Sequence, residues 1–249
     1  MRGLGAQLPT TLHLCCPAVI RYNRYGNQKV ALGLVQAHVL TAAESLQLIA
    51  QEIRGCTRCA LHHGRTRAVP GEGPPDARIM LIGEGPGYHE DRQGRPFVGP
   101  SGQFLDELLA MAGLRRSDVF IGNVVKCRPP QNRDPQPDEI STCTQAYLFR
   151  QIAAIQPKVI VTLGRVSMGL FLPGEKISRI HGQPRTVNGR LVVPMLHPAA
   201  ALHQPQNRPL IEADFQRLPA ILAQAERDAA PTGPAPGDEE PPVQQLSLF

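Results

Sequence analysis

Four cysteines fall in two unequal pairs, Cys56-x2-Cys59 and Cys127-x15-Cys143, on either side of the glycine-rich run Gly83-Glu84-Gly85-Pro86-Gly87-Tyr88-His89-Glu90-Asp91. Four thiolates suffice for a structural zinc or an iron-sulfur cluster. Zinc ribbons usually repeat the two-residue spacing in both halves, because two similar knuckles enclose a small ion. The longer second gap suits a larger cluster better, but spacing alone leaves cluster, zinc and buried core thiols open. Cys15 and Cys16 have no matching partners and remain unassigned.

The segment between the pairs carries further chemistry. GEGPG has the look of a phosphate-binding turn, yet it lacks both the Lys-Ser/Thr of a nucleoside triphosphate loop and the full GxGxxG spacing. A tight glycine turn can instead bring backbone N–H groups against the edge of a flat ligand. Phe97 follows, flanked by glycines, as either a pocket face or a core residue. Next comes Asn123-Val124-Val125-Lys126-Cys127-Arg128-Pro129-Pro130-Gln131-Asn132-Arg133. An amide donates and accepts in one plane and so can read a nucleobase edge, while Lys126, Arg128 and Arg133 are candidates for backbone phosphates. The bland alternative is a turn-capping Asn in a solvated basic loop. His197, before Pro198, is either a site donor or a satisfied structural residue.

The elements that must hold these groups are legible as alternating patterns. Thr41-Ala42-Ala43-Glu44 is a capping box that opens a helix with Leu46, Ile49 and Ile53 on one face, and Gly55 stops it. Apolar runs at Ile79–Ile82, Val119–Val125, Val159–Leu163 and Leu191–Leu196 read as buried strands. Helical patterns follow Ser101-Gly102 and Pro137-Asp138, with a short one at Val166–Leu172. The spacing places Cys127 at a strand end and Cys143 early in a helix. The expected fold is α/β, a three-layer sandwich with a central, mostly parallel four-stranded sheet flanked by helices, and ligands at the carboxyl ends of the strands. Each motif falls at such an end.

The chain has 249 residues, 42% of them hydrophobic, enough for one good core. Its formal charge is +5, and the acids Asp228, Asp238, Glu239 and Glu240 in an Arg- and Lys-free tail leave about +9 on the remainder. A basic body suits a phosphate-rich partner. No apolar run reaches the ~18 residues of a membrane span, and no secretory signal is evident. A cytoplasmic protein is expected, in which disulfides are disfavoured. Residues 1–40 read as an extension of unknown role, 41–227 as the catalytic domain, 228–244 as a flexible Pro/Ala/acidic linker, and 245–249 as a separate peptide.

Taken in order, Cys56-x2-Cys59, GEGPGYHED, GRPFVGPSGQFLDELL, NVVKCRPPQNRDPQPDE with Cys143, and HPAA resemble the family 4, iron-sulfur uracil-DNA glycosylases over roughly residues 42–222. The resemblance implies that Cys56, Cys59, Cys127 and Cys143 hold a 4Fe-4S cluster, with structural zinc the alternative. It implies a pocket in which Phe97 stacks on a flipped uracil, Asn123 reads its O4 and N3–H edge, and His197 approaches O2. Glu84, Gly85 and Pro86 line the floor, Glu90 stands near C5 against a thymine methyl, and Asn132 supports the site. Glu84 is the candidate to position the attacking water. The competing class is a non-catalytic module that binds damaged DNA and a clamp. The chain departs from the family at Gly85 (usually alanine), at Tyr88-His89 (usually more acidic) and at Pro100-Ser101 (commonly Arg-Ala), the first loosening the expected pocket floor.

Gln245-Leu246-Ser247-Leu248-Phe249 resembles the pentapeptide by which bacterial proteins bind the replication sliding clamp. Gln245 would fill a polar pocket, and Leu246, Leu248 and Phe249 would supply the apolar anchors on a flexible tether. The motif implies a bacterial source, and the expected protein is a monomer that acts on uracil-containing DNA and is nucleoid-associated during repair.

Overall fold

The computed structural model describes residues 40–229. The linker beyond Ala229, the Gln245–Phe249 peptide, and Cys15 and Cys16 lie outside the described residues. In chain order the elements are α1 (Ala42–Arg54), β1 (Ile79–Gly83), α2 (Tyr88–Gln93), α3 (Pro100–Met111), β2 (Val119–Asn123), α4 (Pro137–Cys143), α5 (Phe149–Ile155), β3 (Val159–Leu163), α6 (Arg165–Gly169), α7 (Ile177–Ile180), β4 (Arg185–Val187), β5 (Arg190–Met195), α8 (Ala199–His203) and α9 (Arg208–Ala229).

The sheet runs β2-β1-β3-β5-β4, parallel except for β4, which pairs antiparallel with β5. Every residue of β1, β2 and β3 is buried. That is why these strands read as continuous apolar runs: a parallel sheet covered on both faces has no polar side to alternate with. Ile79 and Leu81, with Val119, Ile121, Val159 and Val161, pack toward α3 and α9. Met80 and Ile82, with Phe120 and Ile160, pack toward α1 and α5. The result is the expected three layers.

The capping box at Thr41 forms as read: Thr41 Oγ1 accepts from the Glu44 N–H at 3.2 Å, and Glu44 Oε2 accepts from the Thr41 N–H at 2.8 Å. Two details differ from expectation. The sheet has a fifth strand, β4, whose Arg185 and Thr186 are exposed, so no apolar run announces it. β2 ends at Asn123, which puts Cys127 in the loop beyond the strand; Cys143 closes α4, where the helix continues through a π turn (Thr144–Leu148) into α5.

Candidate active site and cysteine pocket

Gly83 and Asn123 are register partners at the carboxyl ends of β1 and β2. A Cβ at Gly83 would lie 2.5 Å from Asn123 Oδ1 and 2.7 Å from Phe97 Cζ, so only glycine lets the amide and the ring share this space. Beyond the strand ends opens a cavity of about 640 Å³. Glu84, Gly85, Pro86, Glu90, Phe97, Asn123, Asn132 and His197 all line it. The structure therefore brings together every pocket residue expected from the sequence. A shallower groove of about 490 Å³ between α1 and α5, lined by Leu48 and Arg150, holds no converging catalytic groups.

Phe97 is both pocket wall and core residue, 6% exposed, and its φ of 49° lies in the left-handed region that a bulky side chain rarely adopts. Several groups hold it there. Glu90 Oε1 accepts from the Val98 and Gly99 N–H groups, each at 2.9 Å, and Glu90 Oε2 accepts from the Gly87 N–H at 3.1 Å. Arg116 donates to the Phe97 carbonyl at 3.0 Å and also to Pro96 O, while its Nε donates to Glu72 at 2.7 Å. Gly102 completes the seat, since a Cβ there would overlap Phe97 O at 1.9 Å. Glu90, expected to crowd the C5 side of a base, thus has its carboxylate committed to fixing the Phe97 turn. Nothing in the sequence marks Arg116 or Gly102 as supports of Phe97; the glycine-flanked aromatic is the available signal.

His197 follows β5 and stacks near Phe97, centroids 5.6 Å apart and planes at 25°. Gly164, at φ +95°, admits it: a Cβ there would lie 3.2 Å from the His197 Cβ. Burial pulls the imidazole pKa down to about 4, against an opposing pull from Glu90. The Ala199 N–H donates to His197 Nδ1 at 3.1 Å. The neutral ring accepts at Nδ1 and carries its proton on Nε2. Glu84 is half-buried, and desolvation, then Asp134, raise its pKa, partly offset by Arg165. At Gly85 a Cβ would lie 2.8 Å from Val125 Cγ2, so the valine methyl fills the floor that a missing alanine methyl was expected to loosen.

The phosphate candidates divide. Lys126 is a correction: it is 1% exposed, and its ammonium points inward, so it cannot meet a DNA backbone. Arg133 forks onto the buried Glu139 at 2.9 and 2.7 Å, which already balances its charge. Arg128 donates to Asn132 Oδ1 at 2.7 Å and lies over the exposed Tyr88 ring at the pocket mouth.

Cys56, Cys59, Cys127 and Cys143 line one small pocket with Ile53, Leu61 and Tyr147. Two of the sulfurs accept hydrogen bonds: Arg65 Nη1 donates to Cys127 Sγ at 3.1 Å and the Lys126 N–H donates to Cys143 Sγ at 3.3 Å. Burial pushes the Cys143 thiol up to about 11 and raises Cys59 and Cys127 as well. Among the described residues no three His, Cys, Asp or Glu side chains converge closely enough to hold a single metal ion.

Residues 70–219 match the family model described as the uracil DNA glycosylase superfamily. The chain belongs to that superfamily. Within it, the chain is 47% identical over 185 residues to a type-4 uracil-DNA glycosylase of Sulfurisphaera tokodaii, covering 70% of this chain and 84% of the relative. It is 48% identical over 190 residues to the type-4 enzyme of Saccharolobus solfataricus, covering 72% and 88%. The type-4 enzyme of Thermotoga maritima is 42% identical over 187 residues, covering 73% and 97%. These matches identify the chain as a member of the type-4 family. No helix among the described residues is long and apolar enough to cross a membrane.

Proposed function

We propose that this chain is a monofunctional uracil-DNA glycosylase, which flips uracil from DNA, hydrolyses its N-glycosidic bond and leaves an abasic site that begins base-excision repair. One observation carries the reading: a buried amide, an aromatic face and an imidazole with its proton on Nε2 share one cavity in a chain of this family. Taking a base from the stack costs a few kcal/mol, least for a mispaired base. Phe97 offers the flipped ring a face. Asn123 accepts from N3–H and donates to O4; cytosine would leave these groups unpaired, a mismatch capable of large discrimination.

In the reaction water oxygen bonds to the sugar C1′ as the C1′–N1 bond breaks through an oxocarbenium-like state. The bonding pair leaves with uracil, and charge gathers on O2. His197 Nε2–H donates to that oxygen, which stabilises the transition state without a charged imidazole. Glu84 orients the water, and its raised pKa suits it to take the water proton.

The four cysteines line one pocket and supply the four thiolates that a 4Fe-4S cluster requires, the group the type-4 resemblance implies. The cluster would supply cross-linking, tying the end of α1 and the end of α4 to the Cys127 loop. Arg128, beside Tyr88, is the best placed of the expected phosphate contacts. The terminal pentapeptide supports binding to a bacterial sliding clamp, on sequence grounds alone.

The test is incubation with a uracil-containing oligonucleotide followed by alkali. Strand scission that Asn123→Ala slows about 10²–10³-fold is expected. Tight binding with no scission would identify the non-catalytic module instead.

A further inference from the structure

Lys126 is fully buried, yet neither partner of its ammonium is an acid. Nζ donates to the Asn123 backbone carbonyl at 2.9 Å and to Gln151 Oε1 at 2.7 Å. Burying an ammonium is costly, and although the nearby Cys143 sulfur favours its charged form, the two groups it donates to are neutral. What the ammonium adds is direction. Gln151 is itself fixed, since its Nε2 donates to Pro70 O at 2.8 Å. The backbone of Lys126 is held on both sides as well: its N–H donates to Cys143 Sγ at 3.3 Å, and its carbonyl accepts from the Val69 N–H at 2.8 Å. The next two links of the turn reach the pocket floor, where the Val124 N–H donates to Gly83 O at 2.9 Å and the Val125 N–H to Glu84 O at 3.1 Å.

We propose that Lys126, anchored by Gln151, is a positioning residue that pins the Asn123 carbonyl and so aims its side-chain amide, with the Cys143 sulfur holding the other end of the same residue. The inference rests on the glycosylase reading above. It joins the two halves of the molecule: the residue next to Cys127 reaches back to the base-reading amide, so the cysteine pocket and the base pocket share one short hydrogen-bonded path. Loss of the ammonium frees the Asn123 peptide to rotate. A misplacement of about 1 Å in a positioning group can cost on the order of 10²-fold in rate.

The decisive experiment is a double-mutant cycle of Lys126→Met with Asn123→Ala on the full chain, isolated with its cysteine-bound group. For Lys126→Met alone, the visible chromophore and a cooperative thermal transition should be retained, while kcat on a uracil oligonucleotide falls about 10- to 100-fold with KM little changed. In the Asn123→Ala background the same substitution should cost nothing further. An equal loss in both backgrounds, or an unchanged kcat, overturns the proposal. If Lys126→Met does not fold, Gln151→Met is run through the same cycle; a loss that vanishes without the Asn123 amide supports the proposal and an additive one overturns it. A wild-type chain that makes no scission at all would sink the glycosylase reading itself, a result distinct from either.

Discussion

The backbone N–H of Ala199 donates to Nδ1 of His197 at 3.1 Å, and this one contact leaves the proton of the neutral ring on Nε2. A protonated ring would carry hydrogen on Nδ1, directly opposed to that N–H. Burial and this contact therefore act together to keep the imidazole neutral.

The pH dependence follows. With its pKa near 4 rather than the ordinary 6.5, His197 stays neutral through pH 5 to 8, so kcat should show no His limb there and should fall only as pH approaches about 4. For stability, the unfolded chain binds a proton between these values that the folded chain refuses. The folded state is thus undiminished by this residue above about 6.5 and loses stability as pH falls toward 4. Thermal midpoints of wild type and His197→Gln across pH 4 to 7 should converge at the acid end; a kcat limb near 6.5 would contradict the assignment.

Gly83→Ala places a methyl 2.5 Å from Asn123 Oδ1 and 2.7 Å from Phe97 Cζ. Displacing both groups should lower kcat/KM on the order of 10²-fold while leaving the cysteine pocket's absorption intact. Near-wild-type kinetics would show that neither group needs its present position.

Arg116→Leu removes the clamp on the Phe97 and Pro96 carbonyls and leaves Glu72 with Arg95 alone. A base stacked on a loosened ring should bind less well, so KM should rise several-fold and the thermal midpoint fall. Breaking part-buried charge-assisted hydrogen bonds typically costs about 1–3 kcal/mol.

Isolated without oxygen, the protein should be brown and carry about four irons per chain. Acid or chelator treatment should bleach it and lower the thermal midpoint. A colourless protein with one zinc per chain would overturn the cluster.

Deleting residues 245–249 should abolish binding to a sliding clamp and leave excision on short oligonucleotides unchanged. Equal clamp affinity after deletion would remove the pentapeptide from the account.

Much of this was legible from residue order because local and global signals agree. The buried parallel strands are continuous apolar runs, the Thr41 capping box opens a helix, and the pocket residues sit where strands end. What escaped has physical reasons. β4 is three residues long and mostly exposed, although Asn188-Gly189, both at positive φ, is the signature of a tight hairpin turn between it and β5. α9 carries Pro219 in its interior and a mixed charge pattern that obscures its apolar face. Lys126 reads as a surface cation because Lys is almost never fully buried, and only the position of Gln151, far along the chain, reveals its inward turn. Glu90 lines the cavity as expected, but the backbone N–H groups that occupy its oxygens have no mark in the sequence. Arg116 is one of two adjacent arginines, and nothing local marks it as the one that holds Phe97.

On the proposed function, Asn123, Phe97 and His197 form a uracil-reading, bond-breaking pocket. Single-turnover excision from matched oligonucleotides carrying uracil, cytosine or thymine at one position tests it most directly. The expected result is release of uracil alone, reduced about 10²–10³-fold by Asn123→Ala. Equal rates for uracil and cytosine, or an Asn123→Ala rate equal to wild type, would contradict it.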